Sequence, residues 1–268
     1  MSSNQTNAIV IPIYKESLSV YEQISLEQCF RIFKGLDIVA VKPVQLQTTD
    51  KRFTKVITFE NAYFENVFGY NRLMLSSTFY AAFQDYPYIL IYQLDAFVFS
   101  NQLDYWCSKK YDYIGAPWFY DKGHQSTFKK LKEAFRSYWH RRYNIKGKDG
   151  KPALDKQLSK MVGNGGFSLR KTDTFFKICE KYKTQITEYE DKENSIFNED
   201  IFFSIELNRK TNTLKIPSYK EAVNFAIETC PEIAIELTDG KLPFGCHAWE
   251  KNLKFWKDKI EDFHYKLT

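Results

Sequence analysis

What the sequence lacks narrows its chemistry. No two of the five cysteines, Cys29, Cys107, Cys179, Cys230 and Cys246, form a CxxC pair, so neither a zinc ribbon nor thioredoxin-like redox chemistry is indicated. An odd, widely spaced set is expected to be reduced thiols in a cytosolic protein. There is no GxxxxGK[ST] phosphate loop, and no GxGxxG follows the first apolar run, which argues against ATP hydrolysis and against a dinucleotide fold. No stretch approaches the ~18 apolar residues of a membrane span. The opening MSSNQTN lacks the basic and apolar regions of a secretion signal, so any membrane contact is expected from the side. The net charge of +5 is mild beside 33 acids, and no general nucleic-acid-binding character follows from it.

What is present is a large apolar reserve. With 268 residues, 44% hydrophobic and 17% aromatic, the chain can bury a substantial core, and one domain is expected. Ala8 to Tyr14, AIVIPIY, reads as a buried strand. A near-helical recurrence from Leu18 to Phe33 follows, stopped by Gly35, and Asp37 to Val41 reads as a second strand. This alternation predicts a mostly parallel sheet with right-handed crossovers. Val56 to Phe59 is a weaker strand. Asn71 to Phe83 is predicted as one helix that delivers the chain to Tyr88–Tyr92, YILIY, which has no polar face and reads as a strand buried on both sides. Asp95 then stands at that strand's carboxyl end, where open α/β sheets bind ligands. A carboxylate following a dry strand calls for a positive partner, and a metal is the simplest.

Beyond Phe99 the pattern changes. A short helix is expected over Leu103 to Ser108, a strand over Asp112 to Phe119, and a basic, aromatic insertion from Lys129 to Lys151. That insertion reads as a solvated helix face with a glycine-rich loop, or as a basic wall for an anionic acceptor or lipid headgroups. VGNGGFSLR, Val162 to Arg170, reads as a tight turn, or as a loop whose glycines permit positive φ and close approach to a ligand. Asn198, Glu199 and Asp200 precede IFFSIEL in the form of a helix N-terminus. An asparagine cap is expected there, with a helix dipole that lowers the carboxylate's pKa. Ile216 to Pro217 is predicted as a short strand and Ala222 to Glu228 as another short element. Among the histidines, His247 in PFGCHAW lies between a glycine and aromatics, whereas His124, His140 and His264 have ordinary polar surroundings. The stripe Leu253, Trp256, Ile260, Phe263 and Leu267 predicts an amphipathic helix that packs on its own domain or lies at a membrane interface.

Together AIVIPIYKESL, GYNRLMLSSTFYAAFQDYPYILIYQLDAFVF, GNGGFSLR, the NED before a helix and PFGCHAW resemble a GT-A-type glycosyltransferase that uses a nucleotide-diphosphate sugar. They are most similar to bacterial domains with QLDAF and GNGGFSLR elements. The resemblance runs from Ala8 to Trp249, and the order of the motifs is more specific than any one of them. It implies an α/β fold of GT-A type in a single domain, residues 1–268. A Rossmann-like nucleotide-sugar half would span 8–99, and an acceptor half 100–249 would carry the insertion 129–158, before a C-terminal helix over 250–268.

The resemblance also implies Mn²⁺ or Mg²⁺ held by Asp95 and His247, with Gln93-Leu94-Asp95 standing where the family has DxD. The donor would meet Tyr14, Asn71, Arg72, Gln93, Asp95, Asn164, Gly165 and Gly166. Asp200, or its neighbour Glu199, would be the base of an inverting transfer to a glycan or lipid-linked acceptor in surface polysaccharide synthesis. Nucleic acid is not among the implied partners, the location is cytoplasmic or at the inner face of the membrane, and the oligomeric state is open. Two other readings stand beside it. One is a sugar nucleotidyltransferase, which would carry a glycine-rich basic loop where IPIYKES has no glycine. The other is a non-catalytic carbohydrate- or nucleotide-binding domain with a degenerate site.

Overall fold

A computed structural model of the chain describes residues 6–47, 50–120, 123, 126–148, 150–191 and 197–267. His124, and Asp149 within the basic segment, lie outside the described residues. The first half alternates β1 (Ala8–Pro12), α1 (Val20–Ile32), β2 (Asp37–Pro43) and β3 (Lys55–Phe59), then α2 (Val67–Met74), α3 (Ser77–Ala81) and β4 (Tyr88–Tyr92). Helix α1 begins at a capping box: Ser19 Oγ accepts from the Glu22 N–H at 3.2 Å, and Glu22 Oε2 accepts from the Ser19 N–H at 2.7 Å. The helix predicted from Asn71 to Phe83 is instead two helices. Ser76 breaks it, because its Oγ caps α3 by accepting from the Phe79 N–H at 3.1 Å.

The second half comprises β5 (Phe97–Val98), α4 (Leu103–Ser108), β6 (Tyr113–Ile114), α5 (Thr127–Tyr143), α6 (Leu154–Gln157), β7 (Phe167–Lys171), α7 (Thr172–Lys181) and α8 (Lys183–Glu190). It closes with α9 (Glu199–Ile201), a π-helical turn (Phe202–Glu206), α10 (Tyr219–Ala222), β8 (Ala226–Ile227), α11 (Pro231–Glu236), β9 (Gly245–Cys246) and α12 (Leu253–Glu261). The strand expected over Asp112–Phe119 shrinks to two residues; beyond Ile114 a lone bridge joins Pro117 to Val162. Ile216–Pro217 is not a strand. Its proline has no N–H to donate to a ladder.

The fold is mixed α/β, with a six-stranded sheet of order β3-β2-β1-β4-β7-β6 flanked by helices. β3, β2, β1 and β4 are parallel, and β7 runs antiparallel to both β4 and β6. Apolar side chains leave both faces of the central strands. Ile9, Ile11, Leu90 and Tyr92 join a core with Leu26, Cys29 and Phe33 of the α1 side. Ala8, Val10, Ile89 and Ile91 join a second core with Leu73, Phe79, Phe175 and Phe203. Burial on both faces explains why YILIY shows no alternation.

A three-stranded sheet, β5-β9-β8, joins the segment after β4 to the C-terminal part of the chain and positions the site. Its register pairs Ala226 with Gly245 and Ile227 with Cys246, and Phe97 with Cys246, so Glu228 and His247 leave adjacent strands side by side. Under it, Trp249 and Trp256 pack with Phe97, Phe99 and Ile260. Helix α12 therefore spends its apolar stripe on its own core, which overturns the interfacial reading of that helix. No helix among the described residues is long and apolar enough to cross a membrane.

Candidate active site

β4 ends at Tyr92, and the next residues turn: the Ala96 N–H donates to Gln93 O at 2.9 Å. The turn holds Asp95 at the mouth of a cleft of about 670 Å³ whose lining includes Tyr14, Lys15, Tyr63, Tyr70, Gln93 and Asp95. After β9 the chain bends sharply at Ala248, whose φ of 48° lies in the left-handed region. The Trp249 N–H then reaches back to Asp95 O at 3.3 Å. That return is what brings His247 onto Asp95.

The contacts of the imidazole are specific. Nε2 lies 3.0 Å from Asp95 Oδ1 and 3.1 Å from Gln93 Oε1, while Nδ1 lies 3.3 Å from Glu228 Oε1. Burial opposes a charge on His247, but the bonds to Asp95 and Glu228 outweigh it and raise its pKa to about 10. Asp95 moves the other way: burial would raise it, and the bond to His247 lowers it.

Asp95, His247 and the Gln93 amide oxygen meet at one point, and Glu228 fixes the far ring nitrogen. Oxygen and imidazole donors backed by a carboxylate suit a divalent cation that completes its shell with phosphates and water. The described residues hold no group of three His, Cys, Asp or Glu side chains able to bind a metal. A cation placed here would draw on two such side chains and an amide, the donor set of an open site rather than a closed cage. The cleft itself is acidic, for Glu22, Glu65, Asp95 and Glu250 line it against one ammonium, Lys15, which Glu22 binds at 2.7 Å.

The GNGG loop is shaped by protein neighbours. A Cβ on Gly165 would lie 1.9 Å from Glu199 Oε1, one on Gly166 1.9 Å from His247 Nε2, and one on Gly163 1.7 Å from the Trp118 ring. Positive φ belongs to Asn164, at 64°, and not to the glycines. Asn164 Oδ1 accepts from the Gly166 N–H at 3.0 Å, and its Nδ2 is buried without a partner. The Gln93 N–H donates to Gly166 O at 2.8 Å, which locks the loop to the β4 turn.

Glu199 and Asp200 part company. Glu199 is 3% exposed and pairs with Arg170, itself fully buried, at 2.9 Å. Arg170 also donates to Tyr80 Oη at 2.8 Å. Asp200 is half-buried, and burial first, then the charges of Glu199 and Glu228, push its carboxyl up to about 7. The expected lowering by a helix dipole is thereby overturned. The helix is a single turn before the π-helical stretch, too short to build a macrodipole against burial. Asn198 does not cap it with its side chain; Asn198 Oδ1 instead accepts from Asn71 Nδ2 at 3.2 Å.

Of the residues singled out in the sequence, Tyr14, Gln93 and Asp95 line the cleft and His247 abuts it. Asn164, Gly165 and Gly166 adjoin it through Gln93 and His247. Asn71 is buried and ties α2 to the Glu199 turn, accepting from the Glu199 N–H at 3.2 Å, and exposed Arg72 is not among the cleft-lining residues. Glu228 was missed. Its signal was the one that betrays Asp95, a lone acid after an apolar strand.

Over residues 53–247 the sequence matches the family described as protein of unknown function (DUF5672). The chain belongs to this family. The match of this DUF5672 chain includes Asp95, Glu228 and His247 and leaves Tyr14 outside. No curated protein matches it in sequence. Among solved structures it is similar to the galactosyltransferase LgtC in complex with donor and acceptor sugar analogs, at 10% identity and a TM-score of 0.49, covering 90% of this chain and 86% of that one. It is also similar to the apo form of mouse xyloside xylosyltransferase 1, at 12% identity and a TM-score of 0.48, covering 90% of this chain and 97% of that one.

Proposed function

We propose that the chain is a metal-dependent glycosyltransferase of GT-A type that moves a sugar from a nucleotide-diphosphate sugar to a hydroxyl of a glycan or lipid-linked acceptor. The observation that carries the reading is the convergence of Gln93, Asp95 and His247 at the carboxyl end of β4, beside a cleft of a size that suits a nucleotide. The motifs that resemble such enzymes supply the residues of that convergence. The charge of the cleft supports the same reading. A diphosphate entering it meets four carboxylates, and the two cations at hand, Lys15 and His247, are already paired with Glu22 and Asp95, so a metal ion would favour its binding.

In this reading residues 8–99 bind the donor, Tyr14 and Tyr70 border the nucleotide, and residues 100–249 face the acceptor. A Mn²⁺ or Mg²⁺ ion on Asp95 and His247 would offset the charge that builds on the departing diphosphate. Glu228 accepts from His247 Nδ1 and keeps Nε2 turned to Asp95. Asp200 takes the proton of the acceptor hydroxyl. A carboxyl with a pKa of about 7 suits that task better than an ordinary carboxylate, since it holds a proton more readily once taken. Attack opposite the leaving group would invert the anomeric centre. Glu199, neutralised by Arg170, orders the loop and is not the base.

The reading is tested by metal-dependent turnover of nucleotide sugars. Release of nucleoside diphosphate that requires Mn²⁺ or Mg²⁺ and is lost in Asp95→Ala supports it. Metal-dependent binding with no turnover towards any acceptor hydroxyl, water included, favours the non-catalytic alternative.

A further inference from the structure

Helix α5 is built inside out. Among its residues the buried positions are Ser137 and His140, with Glu133, Arg141 and Arg142 half-buried, so the side chains turned to the domain are polar. The face turned to solvent is apolar: Phe128 is 78% exposed, Leu131 70%, Phe135 64% and Tyr143 62%, with Tyr138 and Trp139 also open. At ~100° per residue, 128, 131, 135, 138 and 139 fall on one side of the helix, opposite 133, 137 and 140. The stripe is a connected aromatic surface. Trp139 stacks on Tyr143 with centroids 5.1 Å apart and planes 9° apart, and Phe135 and Tyr138 sit 5.8 Å and 5.9 Å from Trp139.

The helix is anchored at its C-terminal end by arginines. Arg142 Nη1 donates to Arg209 O at 2.9 Å and Arg209 Nη1 to Arg141 O at 2.6 Å, while Arg141 Nη1 donates to Gln157 O at 3.3 Å. The fold thus holds the helix through arginine hydrogen bonds and not through its apolar side chains, the reverse of ordinary amphipathic packing. Exposed Lys129, Lys132 and Arg136 border the stripe, and Lys130 lies with Glu133, the helix's one acid, on the inner side.

We propose that α5 is a membrane-docking element, lying in the plane of an anionic lipid surface with Phe128, Leu131, Phe135 and Trp139 in the headgroup layer. Charge complementarity selects this occupant: a stripe bordered by cations is matched by acidic headgroups. A second copy of the chain would set the same cations against each other. Trp and Tyr suit the boundary between headgroups and acyl chains, and the lysine stems can extend along it with their ammonium groups in water. The inference does not rest on the transferase reading. If both hold, α5 keeps the acceptor half at a membrane, which narrows the acceptor to a lipid-linked one.

The test is flotation of the full chain with vesicles of phosphatidylcholine alone and with about one-third phosphatidylglycerol. The protein is expected to float with the anionic vesicles, and about 1 M salt should weaken binding by shortening the screening length to about 3 Å. Trp139 offers an internal probe, because Trp106, Trp118, Trp249 and Trp256 are all buried. Its emission should shift to the blue on anionic vesicles, and Trp139→Phe should abolish the shift. Each cation removed should weaken binding by about fivefold, so the triple variant Lys129→Glu, Lys132→Glu, Arg136→Glu should lose flotation with an unchanged melting temperature. Phe128→Ser with Phe135→Ser should lose it equally. Failure of the wild type to float, equal flotation on neutral vesicles, or self-association that the phenylalanine variant abolishes would each overturn the proposal.

Discussion

Glu228 and His247 leave neighbouring strands and meet at 3.3 Å, Oε1 to Nδ1, so that the other ring nitrogen faces Asp95 at 3.0 Å. The parallel pairing of β8 with β9 makes this contact, and it orients the one imidazole of the site.

Glu228→Gln keeps the side chain's size and removes the carboxylate behind His247. Loss of such a supporting carboxylate weakens metal binding about 10- to 100-fold. Titration of Mn²⁺ followed by electron paramagnetic resonance should show that drop, with the melting temperature of the metal-free protein changed far less. Mn²⁺ affinity equal to wild type would remove Glu228 from the site.

Gly166→Ala places a methyl 1.9 Å from His247 Nε2, so either the loop or the imidazole must move. The expected cost is about 1–3 kcal/mol of stability, together with loss of metal-dependent nucleotide binding. Gly163→Ala is the matched control. Its Cβ meets the Trp118 ring at 1.7 Å, away from His247, so it should cost stability and leave the metal dependence of binding in place.

Glu199→Gln and Asp200→Asn should differ in opposite directions. Glu199 neutralises a buried arginine, and removing one partner of such a pair costs about 3–5 kcal/mol. Asp200 is a carboxyl that folding has made harder to ionise, so Asp200→Asn should not destabilise at neutral pH but should lose transfer while keeping donor binding. Chemical denaturation of the two variants at pH 7, with their turnover, checks both halves. Full activity in Asp200→Asn would contradict its role as base.

The pH dependence follows from the same carboxyl, whose pKa rises from the ordinary 3.8 to about 7 on folding. Between those values the folded chain holds a proton that the unfolded chain has released. The associated stability is thus fully present below about pH 4 and is lost as pH rises through 7. Replacing Asp200 by Asn should remove this slope, worth about 4 kcal/mol over the window. The rate of transfer should rise with pH through about 7 in the wild type, as the base ionises. A stability profile with the same slope in both proteins would show that another group carries it.

Much of this architecture was legible because local signals and burial agree. YILIY reads as a dry strand and is one, and the run Leu103–Ser108 is a helix over those residues. The convergence of Asp95 with His247 is a contact across about 150 positions; motif resemblance placed both at the metal, but nothing local in the sequence could join them. Ser76 was misread because a serine within an apolar period looks like a tolerated interruption, whereas its hydroxyl caps a new helix. The glycines of GNGG read either as a tight turn or as room for a ligand, and they make room for Glu199, His247 and Trp118. Asp200 was expected to be more acidic than usual. Its environment is set by Glu199 and by Glu228, which arrives from a distant strand, and burial dominates.

The most direct test of the account is a thermal-shift panel of nucleoside diphosphates and their sugars, each with and without Mn²⁺, on the wild type and Asp95→Ala. A ligand that binds only the folded chain raises its melting temperature. A rise is expected for one nucleotide, only when metal is present, and none in Asp95→Ala. A rise independent of metal, or one that Asp95→Ala retains, would contradict the assignment of Asp95 and His247 as the metal-binding heart of the site.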